Sequence, residues 1–327
     1  MASFRQRSGK WQARVNRDGY PDQTKTFESK ADAEKWARAL ESEIDKGQFV
    51  NVSEAQRTTL GNVIARYLAE VTPSMKGAPE DTIRLKAIMR KPIARWSMAN
   101  LSTARIAAYR DERLKEVSAG TVIRELAYLS AIINHARREW GINVPNPVQM
   151  VRKPQSPQSR SRVLTDEEVS KLLTALEPTG RRSNWTKPAV QLALATAMRR
   201  GELLSMRWEH VDLQNRTAFL SDTKNGESRT VPLSTAAVQV LAELPRHISG
   251  AVIPVKFFTL DAAFKRARKR AGLDDVRFHD LRRTAITRMA EKLPNVIELA
   301  AVSGHKSLMV LKRYYRPTAA ELAQKLG

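Results

Sequence analysis

The sequence predicts a multidomain, mainly α-helical protein with a small β-α unit at the N-terminus, a helical middle domain and a mixed α+β C-terminal domain. Three observations predict it. Apolar residues recur at helical spacing through most of 58–327, whereas those of the first 50 residues alternate as in a strand. A stretch at 151–162, rich in Pro, Ser, Gln and Arg, separates two regions that each carry their own apolar patterning. A chain of 327 residues has room for two or three domains of ordinary size.

Residues 1–50 form the first unit. Trp11, Ala13 and Val15 alternate with Gln12, Arg14 and Asn16, Arg17-Asp18-Gly19 supplies a turn, and Lys25-Thr26-Phe27 continues as a further strand. Ser29 reads as an N-cap, after which Ala33, Trp36, Ala37, Leu40 and Ile44 share one helical face. The expectation is a three-stranded sheet backed by one helix. Residues 58–150 read as all-helical, beginning with a stripe at Leu60, Val63, Ile64, Tyr67, Leu68 and Val71. A second helix is expected over Thr82–Met89, a third over Thr103–Glu116, and a fourth from near Thr121 until Trp140-Gly141 and Pro145-Asn146-Pro147 stop it. Residues 163–327 open on a capping box, Thr165 with Glu168, and stay mainly helical. One hairpin interrupts them, with strands at Phe219–Asp222 and Ser228–Leu233 and Asn225-Gly226 at the turn.

Charge narrows the function. Lys and Arg number 56 against 34 Asp and Glu, a formal net charge of +22. Such a field attracts polyanions, and neutralising phosphates releases condensed counterions, so nucleic acid is the expected partner. The strands of the first unit then suit a DNA groove. Arg84, Lys86, Arg90, Lys91 and Arg95 between the helical stripes suit the backbone, and the basic linker suits a track along the duplex. No basic amphipathic helix suggests a membrane surface, and no apolar run approaches the roughly 20 residues of a bilayer span. Met1-Ala2-Ser3-Phe4-Arg5 turns polar at once, so a cytoplasmic protein is expected. Cysteine is absent, which excludes disulfides and thiolate chemistry.

Four segments of the last domain carry chemistry. In Ala195-Thr196-Ala197-Met198-Arg199-Arg200-Gly201-Glu202, an apolar helix breaks before Arg199 and restarts at Gly201. Thr223-Lys224-Asn225-Gly226 puts a lysine at the hairpin tip. His279-Asp280-Leu281-Arg282 sets His and Arg three apart, on one side of a helix. Ser303-Gly304-His305 is followed nine residues on by Tyr314, with Tyr315 beside it. Each is weak alone, since a junction arginine is usually a cap and a hairpin lysine usually meets only solvent.

Together, and in this order, the segments resemble the tyrosine recombinase family, which includes the phage integrases. The resemblance covers residues 60–327 and extends to Lys224, which stands five residues before the arginine of Arg229-Thr230-Val231-Pro232-Leu233. Trp208-Glu209-His210, Thr223-Lys224-Asn225-Gly226 and Leu311-Lys312-Arg313-Tyr314 look closest to shufflon-type inversion recombinases, while the N-terminal unit resembles the arm-site-binding domains of integrases. On that resemblance, 1–50 is an arm-type DNA-binding domain, 58–150 a core-binding domain and 163–327 the catalytic domain. Ala197 stands where the family has Gly, Gly201 where it has Ser, and Arg283 where many relatives have a second His.

The resemblance implies a catalytic set of Arg199, Lys224, His279, Arg282, His305 and Tyr314. Tyr314 attacks phosphorus and stores the bond as a 3′-phosphotyrosine with a free 5′ hydroxyl. Phosphoryl transfer is helped mainly by positioning and by charge stabilisation, which Arg199 and Arg282 supply as a clamp. His279 and His305 hydrogen-bond the phosphate or move the phenol's proton, and Lys224 protonates the departing oxygen. No cofactor and no metal are expected, and Asp280 and Glu202 are expected to orient arginines. The implied partners are double-stranded DNA attachment sites and three further copies in a tetramer, with room for an accessory DNA-bending or directionality protein. Integration and excision of a phage or mobile element is the expected outcome, with inversion the alternative. A type IB topoisomerase would use the same residues, and the completeness of the set argues against an inactive DNA-binding regulator.

Overall fold

A computed structural model describes residues 2–20, 22–46, 53–158, 160–178, 180, 183–221, 228–312, 314 and 319–327. The chain divides into two compact units, Met1–Gln158 and Ser159–Gly327.

The first unit begins with an antiparallel sheet in the order β1 (Ala2–Arg7), β2 (Lys10–Val15), β3 (Gln23–Phe27), followed by helix α1 (Lys30–Asp45). Ser29 caps α1 by accepting from the Asp32 N–H, and Ala33, Ala37, Leu40 and Ile44 bury one face with Val15. Sequence alternation found β2 and β3 but gave no specific sign of β1, most of whose side chains are exposed. The link between β1 and β2 is Ser8-Gly9, with φ of 49° and 79°, a turn whose backbone twist matches that of paired strands.

A second core in the same unit is helical: α2 (Ser53–Arg57), α3 (Leu60–Glu70), α4 (Ala78–Met89), α5 (Thr103–Glu116) and α6 (Ala119–Glu139). Helix α4 starts at Ala78, before the expected Thr82, because Pro79 occupies the first turn, where its missing N–H has no intrahelical partner to lose. Leu60, Ile64, Ile106, Leu126, Leu129 and Ile133 are fully buried. Two of the cations assigned to a DNA backbone are engaged inside the unit: Arg84 with Asp81 and Tyr128, and Lys91 with Glu116 at 2.7 Å.

The second unit holds α7 (Asp166–Ala175), α8 (Thr186–Thr196), α9 (Arg200–Ser205), α10 (Thr235–Glu243), α11 (Phe257–Arg270), α12 (Phe278–Lys292), α13 (Val296–Ser303), α14 (Leu308–Leu311) and α15 (Ala319–Leu326). Its sheet runs β4 (Val211–Asp212), β5 (Thr217–Leu220), β6 (Arg229–Pro232), all antiparallel. β5 begins two residues before the expected Phe219–Asp222, β6 is shorter than the expected Ser228–Leu233, and β4 adds a third strand. Lys224, Asn225 and Gly226 lie outside the described residues, as does Tyr315. The Thr165–Glu168 capping box opens α7 as expected. Apolar α8 sits centrally, burying Ala189, Val190, Leu192 and Ala193 between its neighbours.

The C-terminal end of the expected basic linker belongs to this unit and is not a free cationic tether. Arg160 Nε donates to both Asp280 carboxylate oxygens at 3.0 Å, and Arg162 pairs with Asp275 and Glu168. Among the described residues, no helix is long and apolar enough to cross a membrane.

Candidate active site

The break between α8 and α9 builds the first part of the site. Ala197 ends α8 in the left-handed conformation, φ 53°, a strained choice for a residue with a Cβ. Its methyl is fully buried against Ala285, Ile286 and Leu311, contacts a glycine would forgo. Arg199 then caps α9: its backbone N–H donates to Glu202 Oε2 at 2.9 Å and its guanidinium to Glu202 Oε1 at 2.6 Å and to the Gly304 carbonyl at 3.3 Å.

Helix α12 brings His279 and Arg282. Asp280 accepts from the Arg277 N–H and from Arg160, fixing the start of the helix. Arg282, 3 % exposed, donates to the Ala197 carbonyl and to the Ser303 carbonyl at 2.7 Å, and lies 3.9 Å from Glu202. Burial first, then the charge of Arg199, push its guanidinium down to about 10, with Glu202 opposing. It remains a cation at neutral pH, held in place by backbone oxygens.

The turn after α13 presents the second histidine. Gly304, φ 68°, reverses the chain, and the N–H groups of Gly304 and His305 both return to the Ala300 carbonyl. Ser303 Oγ donates to the Leu299 carbonyl at 2.6 Å and meets His305 Nδ1 at 2.8 Å. A hydroxyl has one proton, so with that proton on Leu299 it accepts from Nδ1–H, which leaves Nε2 as a lone-pair acceptor. Burial, then Arg282, Arg199 and Arg229, push His305 down to about 4, so the ring is neutral at physiological pH. Packing on the inner side of His279, then Arg282 and Arg283, hold that imidazole too below its ordinary value.

Arg229, the arginine at the start of β6, also enters the site. It donates from Nη1 to the Val302 carbonyl at 2.8 Å and from Nη2 to Glu202 Oε2 at 2.9 Å. Its guanidinium lies so close over Gly304 that a Cβ there would fall 2.8 Å from Nε. In the sequence this arginine stands out only by its spacing from Lys224; strand alternation gives no sign that it points inward. Glu202 therefore carries three arginines. Burial alone would push its carboxyl up, but the Arg199 N–H and the Arg229 and Arg199 guanidiniums outweigh that and hold it below the usual carboxylate range.

Tyr314 follows α14 and packs, half-buried, against the cluster of Ala197, Ala285, Ile286 and Leu299. Its ring centroid lies 6.2 Å from that of His305 and 5.2 Å from the guanidinium carbon of Arg283. Arg199, His279 and Arg282 line one cavity of about 600 Å³, with Lys265, Arg268 and Arg277 around it. Five of the six sequence-derived site residues thus occupy one neighbourhood, and the sixth, Lys224, lies outside the described residues. Three guanidiniums around one carboxylate leave a net positive site, suited to a phosphodiester. Among the described residues, no group of three or more His, Asp or Glu is arranged to hold a metal ion.

Comparison with known proteins gives two family matches. Residues 162–321 match the phage integrase family, and residues 56–154 match the N-terminal domain of phage integrases. A putative integrase/recombinase of Haemophilus influenzae is 36% identical over 98% of this chain and 89% of its own length. A shufflon-specific DNA recombinase of Escherichia coli is 40% identical over 83% of this chain and 72% of its own. Among solved structures, a lambda integrase (75–356) dimer bound to a COC′ core site covers 77% of this chain and 97% of that one, at 25% identity and a TM-score of 0.64. A lambda integrase tetramer bound to a Holliday junction shares the fold over 93% of this chain and 95% of that one, at 23% identity and a TM-score of 0.64.

Proposed function

This chain belongs to the phage integrase family of tyrosine recombinases, and from that premise we propose how its own residues exchange DNA strands. The observation that carries the reading is the convergence of Arg199, Arg229 and Arg282 on the single carboxylate of Glu202, beside His305 and Tyr314. A scissile phosphate takes up the surplus charge, with Arg199 and Arg282 donating to its non-bridging oxygens. Tyr314 Oη attacks phosphorus as its proton passes to a nearby base, for which His305 Nε2 is available. The P–O5′ bond breaks, Lys224 protonates the leaving 5′ oxygen, and the strand remains joined to Tyr314 through its 3′ phosphate. Attack by a 5′ hydroxyl from a partner duplex reverses these steps, so the bond is conserved without a nucleotide or cofactor.

Residues 1–50 serve as an arm-site DNA-binding domain, 58–150 as a core-binding domain and 163–327 as the catalytic domain, joined by 151–162. Four copies act on two synapsed attachment sites in the bacterial cytoplasm or nucleoid, as the lambda integrase tetramer does on a Holliday junction, with an accessory bending or directionality protein as a further partner. The outcome is integration and excision of a mobile element, supported by the integrase/recombinase relative that spans 98% of the chain, first unit included. Inversion stands second, favoured by 40% identity to a shufflon-specific recombinase.

The test is a nicked suicide duplex carrying the core sequence found in DNA flanking the gene. The parent protein forms a covalent complex and Tyr314→Phe forms none. If Tyr314→Phe still cleaves and Tyr315→Phe does not, the nucleophile is Tyr315. Junction sequencing of a plasmid carrying that flanking DNA separates an excised circle from an inverted segment.

A further inference from the structure

We propose that Arg283 is a positioning residue for the nucleophile, gripping the face of Tyr314 so that the ring is preset beside His305 for attack. The inference rests on the reading of Tyr314 as the nucleophile. It is carried by the combination of two surfaces on that ring. One is apolar: Tyr314 packs on Ala285, Ile286, Leu299 and Leu311. The other is cationic: the Arg283 guanidinium carbon lies 5.2 Å from the ring centroid, within range of the ring's negative face.

The placement of Arg283 explains why it can do this. It follows Arg282 on α12, so the two side chains leave the helix in different directions: Arg282 turns into the core to hold the Ala197 and Ser303 carbonyls, and Arg283 stays half-buried at the ring. Among the described residues no carboxylate pairs with Arg283. Its charge also reaches His279, which places it beside two members of the site at once. Among the described residues the backbone anchor of Tyr314 is short: α14 is a single turn, and the N–H of Tyr314 bonds to the Leu311 carbonyl at 2.8 Å. A tyrosine on so short a tether would otherwise sample many orientations, and each lost degree of alignment slows an in-line displacement.

Single-turnover cleavage of the nicked suicide duplex, with duplex affinity measured separately, tests this in the full-length protein. Arg283→Met keeps the side-chain stem and removes the charge; it is expected to cleave about tenfold more slowly, with affinity within about threefold of the parent. Arg283→Lys restores a cation and is expected to recover most of that loss. If Arg283→Met does not fold, Arg283→Gln takes its place. Parental cleavage by the neutral variant overturns the proposal. So do equal losses in the Met and Lys variants, which would mean a packing role, and a rate loss matched by lost affinity, which would mean a DNA contact. Cleavage by Tyr314→Phe in the same assay overturns instead the assignment of the nucleophile.

Discussion

Two carboxylates on helices of the two units, Glu125 and Glu202, are both buried and both held by arginine, yet their surroundings differ in charge. Glu125 accepts from Arg113 at 2.9 and 2.7 Å and from the Tyr109 hydroxyl at 2.7 Å, while Arg113 and Lys91 share Glu116. Two cations meet two anions, and the network is closed. Burial would push the Glu125 carboxyl up, but Arg113 and Tyr109 hold it below the usual range, and the same hydrogen bonds hold Arg113 above its own. Around Glu202, Arg199, Arg229 and Arg282 meet one anion, and Arg282 is pushed down rather than up. A balanced network stabilises a fold; an unbalanced one keeps a standing demand for an anion. The difference separates a charge-balanced ion-pair network from one with surplus positive charge, which burial and distance alone do not.

Neutralising each carboxylate should break the two networks in different ways. Glu202→Gln removes the anion that aligns Arg199 and Arg229, and covalent complex formation on the nicked duplex is expected to fall about 100-fold. A loss under threefold would mean that Glu202 does not organise the site. Glu125→Gln leaves Arg113 buried beside a neutral amide and is expected to cost about 3 kcal/mol in urea unfolding, with the cleavage rate of the folded fraction unchanged. A cleavage defect as large as that of Glu202→Gln would erase the contrast.

The smallest expected effect is on pH dependence, and it reads the surplus charge directly. His305 titrates at about 4 in the folded protein against an ordinary 6.5, so folding favours its neutral form. Its contribution to stability is complete above 6.5 and is lost as pH falls toward and through about 4. The urea midpoint of the DNA-free protein should therefore drop across that window, and less so in His305→Gln. A bound duplex, by offsetting the arginines, should move the imidazole resonance of His305 to a higher titration midpoint. A free-protein midpoint near 6.5 would contradict the surplus.

The motif residues were legible because their order and spacing are unusual: Arg199 at a broken helix, His279 and Arg282 on one side of α12, Tyr314 nine residues after His305. Helices with a clear apolar stripe were equally plain, α5 to the residue. What escaped was polar burial. Glu125 and Arg113 sit on helices where a charged residue ordinarily marks the solvent side, and only a partner 12 positions away makes them core. The inward role of Arg229 is hidden in the sequence because its partners, Glu202 and Val302, are 27 and 73 positions distant. Arg160 and Arg162 looked like a basic tether because Asp275 and Asp280 are more than 110 positions away. Linear pattern reports periodicity well and pairing at long range poorly.

The bare glycine at 304 has one more consequence. With no side chain there, the Arg229 guanidinium drops into the space like a key into a ward, and the strand and the histidine-bearing turn interlock. A displacement of β6 must then either break the bonds to Val302 and Glu202 or drag both with it, and Glu202 is the seat of Arg199. The sheet edge and the arginine cluster therefore work as a single lever: a pull on the strand is felt at Glu202 and Arg199.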